Sequence, residues 1–239
     1  LNLSVLVPGN AELVIPVSCV EQGRWDPNPG RFESGNRSQY SKGRAMKAAQ
    51  VSESMKLRSG PRSDQGKIWD DLSKKSAAFR VRSDTGAMSD IYESLDSKIE
   101  TFTANLSPQE DQVGLIVGIN GGVAGVDLFD NPQTLAKLFP KLIRSYALDA
   151  IEQSSTKPHP VDKEIFEDFL DGVLKASTKS FPGVGLGKDH RFEDRMVAGG
   201  ALELDGTIIH LSGFPSEESE QSRPQTSRLV RSSRRRRYH

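Results

Sequence analysis

The chain has 239 residues, of which 35% are hydrophobic and 27% are charged, so it is polar for a globular protein but long enough to bury a sizeable core. It contains no uninterrupted apolar run of about eighteen residues, and the sequence therefore predicts no membrane span and no membrane partner. Cys19 is the single cysteine, which excludes an intrachain disulfide and favours a reducing, cytoplasmic location.

The formal net charge of zero conceals an uneven distribution of charge. Residues 22–67 carry ten Lys and Arg against four Asp and Glu, and residues 215–239 carry seven Arg against three Glu. The intervening residues 68–214 carry fifteen basic and twenty-three acidic side chains. Charge runs are usually solvated, which favours an acidic body with two basic surface segments. The alternative is a basic surface that recruits a phosphate-bearing ligand or nucleic acid.

The chain opens on alternating apolar residues, which is the period of a β-strand. Residues 1–7 predict one strand, and residues 13–20 predict a second that is apolar on both faces and largely buried. A fold seldom opens on a buried strand, so we expect that the sequence begins partway through its fold and leaves a strand edge or core uncovered near residues 1–7. Residues 26–62 contain few large apolar side chains and predict a long basic loop.

Apolar residues at spacings of three and four predict about four helices. These helices follow Asp64, span residues 88–102, begin at Asn131 and span residues 162–178. Pro140 lies inside the third and longest helix and should kink it.

Two β-hairpins are predicted by apolar runs that flank a tight turn. Residues 113–129 form the first around Asn120-Gly121, and residues 197–214 form the second around Asp205-Gly206. The glycine-rich residues 183–187 are interpreted as a flexible approach to the second hairpin.

The predicted fold class is therefore α+β, with antiparallel β-hairpins packed against about four helices. Residues 1–214 form a single domain, and residues 215–239 are expected to be a disordered Arg-rich tail.

The densest concentration of unusual residues follows the second predicted strand, at residues 19–25. Arg24 can grip a phosphate or carboxylate, Trp25 offers a stacking face for a base, and Glu21 can act as a general acid or base if it is partly buried. The alternative is a strand-end salt bridge with the indole covering the edge of the core. Cys19 could be a nucleophile, but a free cysteine in an apolar strand is more often a small core residue.

A second candidate site lies at the predicted start of the first helix. Asp64 and Gln65, next to free helical amides, form a natural site for an anion or a hydroxyl group, although ordinary N-capping is the commoner use of Asp64. Asp127 and Asp130 could hold Mg²⁺ together with a bound phosphate, and the alternative for Asp130 is capping of the following helix. Cysteine and histidine are too scattered for a zinc site.

Several segments together resemble the ARG and Rhodanese-Phosphatase-superfamily-associated protein family. They include IPVSCVEQGRW, SDQGKIWDDL, TGAMSDIYE, GVAGVDLFDNPQTLAKLFPKLIRSYALDA and ALELDGTIIHLSGF. The resemblance covers most of residues 1–214. It implies a link to ADP-ribosylglycohydrolase, to phosphatase-like proteins and so to ADP-ribose or nucleotide metabolism, but it implies no established catalytic residues and no known cofactor. Family members usually have a further polar segment before the position where this sequence begins.

Two hypotheses follow for the function. In the first, the domain binds or processes a phosphorylated, nucleotide-like ligand, with Arg24, Trp25 and Gln65 binding it and Glu21, Asp64 or Asp127 supplying acid, base or metal functions. In the second, a non-catalytic interaction domain docks an acidic partner or RNA through its basic loop and tail. Convergence of these side chains on one concave pocket would favour the first hypothesis, and their dispersion would favour the second.

Overall fold

The computed structural model describes residues 1–23, 37–154 and 158–216. Within these ranges the chain forms six helices and one six-stranded antiparallel sheet, which confirms the predicted α+β class. The helices are α1 (Ser41–Lys56), α2 (Gln65–Phe79), α3 (Met88–Ser94), α4 (Asp96–Thr103), α5 (Pro132–Gln153) and α6 (Lys163–Lys175). The strands are β1 (Gly114–Ile119), β2 (Gly122–Phe129), β3 (Ser177–Pro182), β4 (Lys188–Glu193), β5 (Val197–Leu204) and β6 (Thr207–Pro215).

The sheet is built from three hairpins in the strand order β1-β2-β6-β5-β4-β3. Both predicted hairpins are confirmed, and their turn residues adopt the left-handed backbone that this tight turn requires. Asn120 and Gly121 have φ of 47° and 83°, and Asp205 and Gly206 have φ of 50° and 82°.

The third hairpin, β3 with β4, was not predicted from the sequence. Residues 183–187 form its turn, so interpreting them as a flexible approach was wrong. Strand β3 lies at the edge of the sheet, and its residues 177–180 are exposed and polar. An edge strand of this kind lacks the apolar alternation by which strands are recognised.

The N-terminal residues do not form the two predicted strands. They make only isolated bridges, Leu6 with Leu186 and Glu21 with Ala87. Val14 and Val17 are 91% and 82% exposed, so their apolar character does not reflect a buried strand.

Helix α1 occupies residues that the sequence assigned to the long basic loop, and that assignment was wrong for residues 41–56. Its buried face carries Arg44 and Lys47 beside Ala48, Val51 and Met55. Because two of these inward-facing side chains are charged, the helix lacks the apolar stripe that would have identified it.

The other helices largely follow the sequence prediction, with two differences. The predicted helix over residues 88–102 is divided at Leu95 into α3 and α4. Helix α5 continues through Pro140 as one helix, and Asn131 rather than Asp130 provides its cap, since the Asn131 side chain accepts from the amide of Thr134.

Helices α1 and α6 pack on opposite faces of the sheet. Residues that pair across neighbouring antiparallel strands point to the same face. One row of paired residues forms part of what we call the α1 face, comprising Asp127, Ser212, Gly200, Arg191 and Lys179. The adjacent row forms part of the α6 face, comprising Val126, Gly213, Gly199, Phe192 and Thr178.

Candidate functional site

Residues 18–23 lie between the start of α2 and the start of α3, held by hydrogen bonds from both helices. The side-chain oxygen of Gln65 accepts a hydrogen bond from the Cys19 amide at 2.8 Å, and its side-chain nitrogen donates to the Cys19 carbonyl at 2.7 Å. A neighbouring β-strand would make the same pair of hydrogen bonds. The Met88 amide donates to the carbonyl of Val20 at 2.9 Å. Gln65, predicted as a ligand-binding residue, therefore positions the backbone of this segment.

Glu21 is held on the other side of the same segment. Its carboxylate accepts from the hydroxyl of Thr85 at 3.0 Å, and the Gly23 amide donates to the Thr85 carbonyl at 2.6 Å. Glu21 is half-buried, the environment in which an acid or base function was expected. Arg24 and Trp25, the other predicted members of this cluster, lie outside the described residues.

A pocket of ≈ 440 Å³ opens beside this segment, and we call it the α2–α3 pocket. Gln22, Trp69 and Arg82 are among the residues that line it. The remaining lining residues are Leu72, Ser73, Ser76, Ala77, Val81, Ser83, Asp84, Gly86, Ala87 and Ile91. The lining is thus a half-apolar wall with convergent hydroxyl, amide and charged groups, the usual composition of a small-molecule site.

Two features of the α2–α3 pocket were missed in the sequence. Trp69 is half-buried and packs against the helical core, and no described residue accepts a hydrogen bond from its buried indole Nε1. Arg82 lies exposed between α2 and α3, in a polar run that carries no recognisable motif. One feature of the sequence could have pointed to Arg82, because this polar run lies directly between two predicted helices.

Asp64 lies at the start of α2, where it acts as the N-cap. Its carboxylate accepts from the Lys67 amide at 3.1 Å, and its own amide donates to the side chain of Gln50 at 2.9 Å. It is absent from the lining of the α2–α3 pocket.

Asp127 is fully buried on the α1 face, and its hydrogen-bond partners there do not line the α2–α3 pocket. Nη1 of Arg44 donates to Oδ2 at 3.0 Å, Nη2 contacts Oδ1, and the hydroxyl of Tyr146 donates to Oδ2 at 2.9 Å. Burial alone would raise the pKa of Asp127, but the Arg44 guanidinium and His210 outweigh it and lower that pKa. The carboxylate is therefore ionised and committed to an internal ion pair.

His210 connects Asp127 to Ser4 in the order of a Ser-His-Asp relay. Nδ1 of His210 lies 2.5 Å from the Ser4 hydroxyl, and Nε2 lies 3.4 Å from Oδ1 of Asp127. However, both carboxylate oxygens of Asp127 already accept hydrogen bonds from Arg44. The void beside Ser4 measures only ≈ 10 Å³. Such a void holds about one water molecule and no substrate, so we interpret the relay as structural.

A second buried charged cluster joins α1, α2 and α5. Nζ of Lys75 lies 2.5 Å from Asp149 and 2.8 Å from Glu152, and 4.2 Å from the centre of the Tyr40 ring. The hydroxyl of Ser41 also donates to Asp149. Burial would lower the pKa of Lys75, but Asp149 and Glu152 outweigh it and raise that pKa. This cluster ties the three helices together.

Four basic residues of the segment before position 67 form ion pairs with acidic residues of the main body. The pairs are Arg37 with Glu93, Lys42 with Glu152, Arg44 with Asp127, and Lys56 with Glu193. Much of the positive charge of this segment is therefore compensated within the chain.

Residues 1–23, 37–154 and 158–216 contain neither a metal-ligand cluster nor a membrane-spanning helix. No cluster of three or more His, Cys, Asp or Glu side chains there could hold a metal ion, and Asp127 and Asp130 do not form one. None of the helices in these ranges combines the length and apolar character needed to cross a bilayer.

Comparison with known protein families matches residues 1–214 to the ARPP-1 domain, described as the ARG and Rhodanese-Phosphatase-superfamily-associated Protein domain. The chain belongs to the ARPP-1 family. No curated protein and no solved structure shows a significant match.

The matched range ends one residue before the end of β6 and includes every residue that lines the α2–α3 pocket. Of the predicted site residues, the structure brings Glu21 and Gln65 to the segment that borders this pocket. It places Asp64 at a helix cap and Asp127 inside the α1 face. The described candidates therefore do not converge on one pocket, and this dispersion favours the interaction hypothesis over a ligand site built from these predicted residues. The α2–α3 pocket is lined by different residues and is a separate reason to consider a ligand.

Proposed function

We propose that this ARPP-1 domain binds a phosphorylated, nucleotide-like small molecule in the α2–α3 pocket. The observation that carries the proposal is that one pocket of ≈ 440 Å³ is lined by a tryptophan, an arginine and several serines. Small-molecule sites in proteins typically measure roughly 300–1,000 Å³, so the pocket suits a ligand of nucleoside size.

Trp69 supplies the surface for a planar ring. Its indole is half-buried and packs against the helical core, so one part is fixed while another lines the pocket. Stacking of a base on an aromatic side chain contributes about 1–3 kcal/mol and depends little on the identity of the base. A nucleobase or a similarly flat ring is therefore the part of the ligand that this wall would hold.

Arg82 supplies the charge that a phosphate group needs. A planar guanidinium donates two parallel hydrogen bonds to phosphate oxygens, and Ser73 and Ser76 line the same pocket. The hydroxyl of Ser83 is already engaged, because it donates to Asp90 and accepts from the Ala87 amide. Asp84 and the neighbouring Glu21 are the carboxylates at this site. Asp84 could accept from ribose hydroxyls, and Glu21 is the acid or base candidate if the ligand is also processed.

The family description supports the choice of the first ligand to test. It associates ARPP-1 domains with ARG and with rhodanese-phosphatase proteins. A phosphorylated ribose compound such as ADP-ribose combines a base, two riboses and phosphate groups, which are the groups that the pocket lining would recognise.

The test is a titration of the chain with ADP-ribose, NAD and nucleoside monophosphates, followed by thermal unfolding and calorimetry. At a ligand concentration 100-fold above Kd, the melting temperature should rise by roughly 5–10 °C. Arg82→Gln should weaken binding by roughly tenfold because it removes a charge-assisted hydrogen bond. Chromatography of the incubated ligand would show whether it is also hydrolysed.

The matched control is Arg80→Gln, which removes an exposed arginine two residues away that does not line the pocket. It should bind like the wild type. The proposal is wrong if none of these compounds stabilises the chain, or if Arg82→Gln and Arg80→Gln weaken binding equally.

A further inference from the structure

A second concave surface lies between α1, the first turn of α2 and strands β3 and β4. It consists of two adjoining cavities of ≈ 680 and ≈ 310 Å³. Both are lined by Ser52, Lys56, Phe192 and Glu193, so they meet at these four residues. We call the combined surface the α1–β4 cleft.

Basic side chains are distributed along the whole length of this cleft. Lys67 lines only the larger cavity, Lys179 and Arg191 line only the smaller one, and Lys56 lines both. The acidic groups of the lining are Glu53 and Glu193. Four cations line the cleft against two carboxylates, and Asp189 neutralises Arg191 from just outside the lining, which leaves an excess of one positive charge.

Arg191 is the most rigid of these cations because it is 4% exposed and held by Asp189. Its Nε and Nη2 donate to the two oxygens of Asp189 at 2.6 and 2.7 Å. Among the described residues no acceptor contacts its Nη1. Gly200 lies directly opposite on β5, and a Cβ there would come within 2.9 Å of Nη1, so the glycine makes room for the guanidinium.

Lys67 and Lys179 differ from Arg191 in being exposed. Over the described ranges neither forms an ion pair with a carboxylate. Lys56, in contrast, pairs with Glu193 where the two cavities meet. The Glu193 carboxylate therefore occupies the position that an anionic group of a ligand would take beside Lys56.

We propose that the α1–β4 cleft binds an anion with two or more phosphate groups, such as an oligophosphate or the polyphosphate portion of a larger molecule. A single phosphate could contact only one end of the cleft, because Lys67 and Arg191 line different cavities. Several phosphates in series can engage Lys67, Lys56 and Lys179 together, with Glu193 displaced from Lys56. This site is separate from the α2–α3 pocket and does not depend on the function proposed for it.

The probe is inorganic tripolyphosphate, with orthophosphate at equal ionic strength as the comparison. Calorimetry should show saturable binding of tripolyphosphate and much weaker binding of orthophosphate. Lys67→Gln and Lys179→Gln should each weaken tripolyphosphate binding by roughly two- to fivefold, the size expected for one exposed charge. Glu193→Gln should strengthen binding by a similar factor because it frees Lys56 and removes a negative charge.

Lys163→Gln is the matched control, since it removes an exposed, ion-paired lysine from α6 on the opposite face of the sheet. It should leave tripolyphosphate binding unchanged, and so should Arg82→Gln, which acts only on the α2–α3 pocket. The proposal is overturned if tripolyphosphate does not bind, if the control lysine matters as much as Lys67 and Lys179, or if Glu193→Gln weakens binding.

Discussion

The two faces of the six-stranded sheet are built on adjacent rows of residues, yet they are stabilised by opposite chemistry. The α6 face packs Val126, Phe192 and Val197 against Phe169 of α6. The α1 face buries Asp127 beneath Arg44 of α1. The same strands and the same hydrogen-bond register thus carry an apolar layer on one side and a charged layer on the other.

Glycine makes room for the largest side chain in both layers. A Cβ at Gly199 would lie 2.4 Å from the ring of Phe192, and a Cβ at Gly200 would lie 2.9 Å from the guanidinium of Arg191. Alternate residues of the same strands carry different chemistry, Asp127 and Arg191 on one face and Val126 and Phe192 on the other. The helix that packs on each face presents side chains that match, so strand and helix together decide whether the layer is apolar or ionic.

The strongest test of the charged layer is Asp127→Ala. It leaves the Arg44 guanidinium buried without its carboxylate and removes the acceptor of Tyr146. Breaking a buried pair on one side typically costs about 3–5 kcal/mol, so we expect a loss of that size in the free energy of unfolding, measured with urea. Asp130→Ala, an exposed acid three residues away, should change it by less than about 0.5 kcal/mol.

The loss in Asp127→Ala should also depend on pH. The pKa of Asp127 is lowered in the folded chain, so its contribution is present above the unfolded carboxyl pKa of about 3.9 and disappears as the pH falls through the folded pKa. The difference in the free energy of unfolding between the wild type and Asp127→Ala should therefore become smaller below about pH 4. A stability loss below about 0.5 kcal/mol at pH 7 would contradict the ionic description of the layer.

The matching test of the apolar layer is Phe169→Ala on α6. Phe169 is the buried residue of that helix and packs into the cluster with Phe192. Loss of its ring and the resulting cavity should lower the free energy of unfolding by about 3 kcal/mol in urea denaturation. Leu174→Ala on the same helix is the control, because Leu174 is 82% exposed and its truncation should have little effect. Equal losses in both variants would show that α6 does not pack as described.

A smaller effect of opposite sign is expected for Lys47→Met on α1. Lys47 is 5% exposed and forms no ion pair among the described residues, and burial lowers its pKa to about 8. Replacing this buried cation by an apolar side chain of similar length should raise stability by roughly 1–3 kcal/mol at pH 7. Lys42→Met, an exposed change on the same helix, provides the comparison.

The gain from Lys47→Met should diminish as the pH rises. Between about pH 8 and the unfolded lysine pKa of about 10.4, the unfolded chain binds the proton more tightly, so wild-type stability increases with pH. Urea unfolding at pH 7 and pH 9.5 measures this change. A variant less stable than wild type at pH 7 would show that Lys47 makes a favourable buried interaction.

The smallest predicted effect concerns the helix that borders both concave sites. Asp64→Ala removes the N-cap of α2 and should lower the free energy of unfolding by about 1 kcal/mol in urea denaturation. Asp64→Asn, which retains a capping side chain, should restore most of that loss. If both substitutions are neutral, the capping contact with the Lys67 amide does not contribute to stability.

The contrast between the faces also explains which parts of the fold could be predicted from the sequence. Helix α6 and the hairpins around Asn120-Gly121 and Asp205-Gly206 show apolar periodicity and specific turn residues, and all were predicted. Helix α1 was missed because it presents Arg44 and Lys47 to the interior, and hydrophobic periodicity does not register an ionic layer. Strand β3 was missed because it is an exposed polar edge.

The candidate site was less predictable for a different reason. The sequence directed attention to residues 19–25, of which Gln22 lines the α2–α3 pocket, and this lining also needs residues of α2, of α3 and of the segment between them. The lining residues Trp69 and Arg82 are brought together by the packing of these elements and by no local motif. Asp127 attracted attention as a carboxylate, but its partner Arg44 lies 83 positions away, inside a segment that was read as a loop.

The central claim is that function resides in the α2–α3 pocket, whose side chains are not committed to either layer of the sheet. The chain has two tryptophans, so comparison with Trp25→Phe assigns the Nε1–H signal of Trp69 in an NMR spectrum. The titration itself uses the wild-type chain, which keeps Trp25. The account predicts that this signal shifts saturably during titration with ADP-ribose and that adding Arg82→Gln suppresses the shift. An indole signal that does not move while ADP-ribose binds elsewhere on the chain, or no binding at all, would contradict it.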